Sequence, residues 1–91
     1  MALKFEWDKD KAERNIKKHG VRFETAAKVF LDDDRIEIYD EAHSIGEDRY
    51  IVIGFVEEVL FVVYTERHSN IRLISARLAT AQERKVYYGN I

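Results

Sequence analysis

Cysteine is absent from the sequence, which excludes disulfides and any thiolate metal site and fits a reducing compartment. The expected location is therefore the cytoplasm. Proline is also absent and only four glycines occur among 91 residues, so linker-like and disordered composition is missing. No apolar run approaches the roughly 20 residues needed to cross a bilayer. The stretch Met1–Trp7 carries Lys4 and Glu6 within its short apolar run and does not read as a secretory signal. Three scattered histidines with no pair at ligand spacing argue against a zinc site. Neither a phosphate-binding glycine loop, a GxGxxG turn nor a serine nucleophile elbow occurs. What remains is one soluble domain over residues 1–91, with a modest core and no expected cofactor.

The net charge of −2 conceals an uneven layout. Residues 1–31 hold eight Lys/Arg against five Asp/Glu, residues 32–64 hold two against ten, and residues 65–91 hold five against two. Two basic segments thus flank an acidic one. They read either as ordinary solvated surface or as a basic patch assembled from both chain ends, suited to a phosphate backbone.

Local signals give the elements. Lys4–Trp7 is a short strand. Asp8 is a helix N-cap, Ala12, Ile16 and His19 follow at helical spacing, and Gly20 suits the left-handed C′ position. Phe23, Ala26, Ala27 and Phe30 form one apolar stripe of a second helix that ends at Asp32-Asp33-Asp34, a run that reads as a solvated helix end. Arg35–Asp40, Arg49–Val56, Val59–Glu66 and Asn70–Arg77 read as strands, with Glu57-Glu58 and Arg67–Asn70 as turns. Thr80 and Glu83 match a capping box that opens a short C-terminal helix. The fold class is α+β: an N-terminal strand and two helices packed on an antiparallel sheet of about four strands, closed by the short helix.

Placing Val56 opposite Val59 sets a register in which Arg49 faces Glu66, and Glu66 lies near Ile71. The helix-covered face then carries Ile51, Ile53, Phe55, Leu60, Val62, Tyr64, Ile71 and Leu73, joined by Ile36 and Ile38. The half-open face carries Tyr50, Val52, Gly54, Phe61, Val63, Thr65, Arg72 and Ala76, with Glu37 and Tyr39 at the edge. A slip of one residue would exchange these faces.

Chemistry concentrates at the sheet end near the 67–70 turn, where Arg49, Glu66, Arg67 and His68 gather with His43 on the preceding loop. Arginine holds phosphate bidentately and stabilises the added charge of a pentavalent transition state, while His or Glu moves a proton near neutral pH. This is a metal-free ribonuclease kit in which the RNA 2′-hydroxyl attacks its own phosphate. The competing reading is a cross-strand Arg49–Glu66 ion pair beside an exposed turn histidine. Arg77 lies roughly 20 Å along the strand, with Arg84 and Lys85 as expected neighbours. It reads equally as a strand-end arginine covering a helix.

Phe5-Glu6-Trp7-Asp8, Lys11-Ala12, Asn15, Lys18-His19-Gly20-Val21 and Phe23-Glu24 resemble the opening signature of the BrnT toxin family. Thr65-Glu66-Arg67, Ile71-Arg72, Ile74-Ser75-Ala76-Arg77, Ala79-Thr80 and Glu83-Arg84 resemble its closing signature. The resemblance implies a compact RelE-like ribonuclease fold and a type II toxin that arrests growth by cleaving RNA. It also implies a small ribbon-helix-helix antitoxin that neutralises the toxin and carries it to their promoter DNA, in a heterotetramer or larger complex. On the matching motifs Arg67 and Arg77 are the leading catalytic positions, with Glu66 and Lys4 secondary to them, and the register at the sheet end adds Arg49 to the catalytic set. Lys4, Arg72, Arg84 and Lys85 are the expected RNA contacts. A non-catalytic antitoxin-binding module acting in promoter control is the alternative. A small-molecule enzyme is disfavoured, because a two-layer domain of this size has little room for a deep pocket.

Overall fold

The computed structural model describes residues 3–89. Met1, Ala2, Asn90 and Ile91, which the single-domain expectation includes, lie outside the described residues. Helix α1 spans Lys9–His19 and begins and ends on local chemistry. The Asp8 carboxylate accepts from the Lys11 amide at 2.9 Å, satisfying one of the free donors of the first turn. Gly20 adopts φ 70°, which costs an L side chain but not glycine, and its amide returns to the Ile16 carbonyl at 2.8 Å. Helix α2 is a single turn, Phe23–Ala26, that tightens into a 3-10 segment over Ala27–Leu31. Helix α3, Ala81–Gly89, opens on the expected reciprocal cap: the Thr80 hydroxyl accepts from the Glu83 amide at 3.2 Å, and Glu83 accepts from the Thr80 amide at 2.8 Å.

The expected antiparallel strands form as β2 (Ile36–Tyr39), β3 (Tyr50–Val56), β4 (Glu58–Arg67) and β5 (Asn70–Leu78). The N-terminal strand β1 (Phe5–Glu6) extends them to five in the order β1-β5-β4-β3-β2. It lies parallel to β5, with Phe5 beside Ile71 and Glu6 beside Arg72.

The β4–β5 turn has the expected register, with Glu66 opposite Ile71, whereas the β3–β4 turn is one residue tighter than expected. Glu57 alone forms the tip, at φ 63°, and Val56 pairs with Glu58. Tyr50 therefore faces Tyr64 and Val52 faces Val62. This corrects the expected strand faces. Leu60, Val62, Tyr64, Ile71 and Leu73 do lie under α1 and α2, but the β3 residues beside them are Tyr50, Val52 and Val56. Ile51 and Ile53 turn to the opposite face with Ile36, Val59 and Phe61, where Tyr87 of α3 covers them. A bulge between Val63 and Tyr64, opposite Ile74, changes parity once more and moves Ala76 onto the α1 side. The sheet is thus clad on both faces, by α1 and α2 over most of one and at one end by α3 on the other.

Two contacts fix the α1–α2 layer. Asn15 is buried and makes three hydrogen bonds: its amide nitrogen donates to the carbonyls of Val21 and Ala76, each at 2.8 Å, and its oxygen accepts from the Ala76 amide at 3.0 Å. Ile16, which follows Ala12 at helical spacing, is 42% exposed. At the other contact the 3-10 segment lies against β3 at Gly54. A Cβ there would stand 3.0 Å from Val29 Cβ and 3.3 Å from its carbonyl oxygen. Gly54→Ala is therefore expected to lower stability by about 1–3 kcal/mol, read as a lower urea midpoint with an unchanged slope.

Candidate functional site

The loop between β2 and β3 is held by side chains that terminate backbone groups. Ser44 Oγ donates to the Asp40 carbonyl at 2.6 Å and accepts from the Arg49 amide at 2.9 Å, while buried Thr65 donates its hydroxyl to the Asp48 carbonyl. These bonds bring Glu47 and Arg49 to the end of β4. Arg67, the last residue of β4, meets Glu47 at 3.6 Å, and Arg49 meets the other oxygen of Glu47 at 3.9 Å. One carboxylate therefore lies between two guanidinium groups. On the neighbouring strand Arg72 binds Glu6 at 2.7 Å, and Asn70 donates to the other oxygen of Glu6 at 3.1 Å. The hydrogen bonds from Asn70 and then Arg72, with the charges of Arg72 and Arg67, hold Glu6 below the usual carboxylate range. Arg49, Arg67 and Arg72 thus share one sheet end with two carboxylates.

The turn that closes this end has His68 and Ser69 both in the left-handed region, at φ 49° and 69°. A two-residue turn matching strand twist needs these angles, normally from Asn-Gly. His68 is exposed at its tip. His43 turns instead to Asp40, with Nδ1 2.9 Å from the carboxylate.

The expected opposition of Arg49 and Glu66 does not occur, because the shorter β3–β4 turn offsets the register by one residue. Glu66 is exposed on the α1 side, where its charge helps raise the pKa of Tyr50 and Tyr64, after burial of both rings. Lys4 is exposed beside β5, its carbonyl accepting from the Ile71 amide at 2.8 Å.

Arg77 is at the opposite end of the face. Its strand partner is Phe61, six residues before Arg67 on β4, so the two arginines lie roughly 20 Å apart. Its principal neighbour is Glu83, rather than the expected Arg84 and Lys85. The fork bonds both Glu83 oxygens, at 2.7 and 3.0 Å, and its carbon lies 4.0 Å over the Phe61 ring. Arg84 donates to the Ala79 carbonyl at 3.0 Å, and Lys85 is exposed on α3. Asp32 adds a third tie to α3. One oxygen accepts from the Phe55 amide at 2.8 Å and from the Tyr87 hydroxyl at 2.5 Å, so this aspartate is a joint between layers rather than a solvated helix end.

Sequence reasoning missed Glu47, Glu6 and Asp32. Nothing local marks Glu47, and the Glu6–Arg72 pair exists only because β1 joins β5 in parallel. Three of the paired carboxylates predict an acid-sensitive fold. Burial opposes the charge on Asp32, but hydrogen bonds from Tyr87, Phe55 and Asp34 and the charge of Arg35 outweigh it and lower its pKa. Arg77 lowers that of Glu83, aided by Thr80. Together with Glu6 these groups bind protons more weakly folded than unfolded. Their stabilisation is complete above about pH 5 and is lost as pH falls through the lowered values. Thermal midpoints are expected to be level from about pH 5 to 7 and to fall below about pH 4, with Tyr87→Phe reducing that dependence. A midpoint that rises on acidification would contradict this pairing scheme.

The fold defines the class. The crystal structure of the Brucella abortus ribonuclease toxin BrnT, at 1.1 Å resolution, matches with a TM-score of 0.70 and 28% identity, covering 87% of this chain and 99% of that one. The chain is therefore built as a small α+β toxin domain. The family model for the ribonuclease toxin BrnT of type II toxin–antitoxin systems matches residues 7–83, and the chain belongs to this family. No curated protein sequence matches it significantly. Among the described residues no helix is long and apolar enough to cross a membrane.

Proposed function

We infer that this chain is a cytoplasmic, metal-independent endoribonuclease toxin that arrests growth. A ribbon-helix-helix antitoxin neutralises it in a heterotetramer or larger complex that reaches promoter DNA only through the antitoxin. The observation that carries the catalytic reading is the Arg49–Glu47–Arg67 arrangement with Arg72 on the adjacent strand. The Glu47 contacts are long and solvent-exposed, so they hold the guanidiniums weakly. A phosphodiester entering between Arg49 and Arg67 displaces that carboxylate and takes two charge-assisted forks. The RNA 2′-hydroxyl then attacks its neighbouring phosphorus and gives up its proton to solvent, the P–O5′ bond breaks as the 2′,3′-cyclic phosphate forms, and the departing 5′-oxygen of the next nucleotide takes a proton from solvent. The arginines stabilise the charge that grows on the phosphoryl oxygens. Lys4 and Arg72 flank this position. Arg77, Glu83 and Arg84 act by holding α3 to the sheet, and Lys85 stands on its outer surface.

One observation favours the alternative of a non-catalytic, antitoxin-binding module: Arg49, Arg67, Arg72 and Arg77 each already face a carboxylate. Induced expression of the chain alone, with growth and total RNA followed, separates the two. Growth arrest with new RNA fragments is expected, and intact RNA in normally growing cells that contain folded protein would transfer the reading to the binding module. Arg77→Ala is informative beside it. If it abolishes cleavage at an unchanged thermal midpoint, the site belongs at the α3 end instead.

A further inference from the structure

A second basic surface lies outside the arginine end. α1 crosses the edge of β5 beyond the two residues that β1 covers, leaving a groove of about 330 Å³. Lys11, Arg14, Lys18 and His19 line it from the helix, Ile74 and Ser75 from the strand, and Asn15 forms its floor. Lys11, Arg14 and Lys18 fall at i, i+3 and i+7, which puts them on one side of α1. No carboxylate lines the groove, and among the described residues none of these three cations has an ion pair. In this they differ from the four arginines of the sheet face, each of which faces a glutamate. Two other surface grooves are richer in carboxylates: Asp32 and Asp34, with Lys28, rim one beside Leu31 and Phe55, and Glu57 and Glu58, with Arg84, rim another beside Leu78.

We propose that the α1–β5 groove binds the phosphate backbone of single-stranded RNA that continues from the arginine end. The inference rests on the ribonuclease reading for the direction of the strand. Ser75 follows Arg72 by three residues on β5, about 10 Å, so a chain leaving Arg72 along this edge enters the groove. The bulge at Ile74 interrupts the ladder there, and its side chain walls the groove. No Phe, Tyr or Trp ring lines the groove and His19 is its one ring, so it offers mainly charge and little stacking surface. It adds affinity and holds the strand in place without reading base identity.

The test is the Lys11→Ala/Arg14→Ala/Lys18→Ala variant, which keeps good helix formers on α1. Its binding to a 2′-O-methyl oligonucleotide, which cannot be cleaved, is measured against salt concentration beside the wild type. Removing three phosphate contacts is expected to reduce the salt slope of log affinity by about 2 and to weaken binding by at least about tenfold at low salt. Cleavage of a dinucleotide, too short to reach the groove, is expected to stay unchanged while cleavage of long RNA slows. An unchanged slope with cleavage intact overturns the groove assignment and leaves the ribonuclease reading standing. Loss of slope in a protein that cleaves nothing upholds the groove and removes the catalytic reading. An unchanged RNA slope with lost antitoxin binding assigns the groove to the protein partner and overturns the proposal.

Discussion

Asn15→Ala is expected to remove about 3–5 kcal/mol of stability, which is up to half or more of what a domain of this size has. The side chain occupies an unusual position. β1 covers β5 only at Ile71 and Arg72, so the next stretch of β5 is a sheet edge with its polar groups turned outward. At Ala76 the Asn15 carboxamide takes the place of a neighbouring strand, accepting from the amide and donating to the carbonyl. It also binds the Val21 carbonyl and so secures the chain just past Gly20. Removing the carboxamide strands one buried donor and two acceptors, and water has little access because the site is 6% exposed. The measurement is urea unfolding followed by circular dichroism. A loss below about 1 kcal/mol would mean that the contact is incidental. Asn15→Asp adds a check of sign. The new carboxylate oxygen would face two carbonyls, so its pKa would be raised in the folded state. Its destabilisation should therefore be greatest at neutral pH and shrink on acidification.

Arg49→Ala/Arg67→Ala is expected to reduce RNA cleavage by about 10³-fold or more while leaving the thermal midpoint within a few degrees. Both side chains are part-exposed and held only by distant contacts to Glu47, so the fold loses little. The rate loses two donors that act on charge growing in the transition state. Single variants should each account for most of the effect, because two forks on one phosphate act as a unit. Glu47→Gln gives an independent reading. It removes the carboxylate that competes for both guanidiniums, and RNA binding is expected to tighten several-fold. Unchanged cleavage in the double variant would dismiss this sheet end as the reaction site.

The parts of the fold governed by neighbours in sequence were legible beforehand. Asp8, Gly20 and the Thr80–Glu83 cap each depend on residues within one helical turn, and each forms as the local chemistry requires. Strand existence was equally readable from β-branched runs. Strand faces were not, because parity is decided by a single residue. Glu57 alone makes the β3–β4 turn, and the extra Ile74 makes the β5 bulge, so two one-residue choices redistribute Ile51, Ile53 and Ala76 between layers. The same offset removed the Arg49–Glu66 pairing and left Arg49 to Glu47. Arg67 could be placed at the end of the sheet beside the 67–70 turn, and Arg77 could be placed far from it by counting strand residues. The glutamates at the Arg67 end could not: Glu47, which faces Arg67, comes from an irregular loop, and Glu6, which faces Arg72, from a strand pairing that spans most of the sequence.

That pairing also governs how the protein comes into being. The Glu6–Arg72 bond joins residues 66 apart, and the Asn15–Ala76 bonds join residues 61 apart. Contacts of such separation form late, after the entropy of closing long loops has been met. A chain emerging from synthesis therefore has neither the β5 edge seal nor its complete arginine end until some three quarters of it and more has been made. On the ribonuclease reading proposed above, the cell would gain an interval in which each new copy is harmless, and a partner already present could meet it before its last strand is in place.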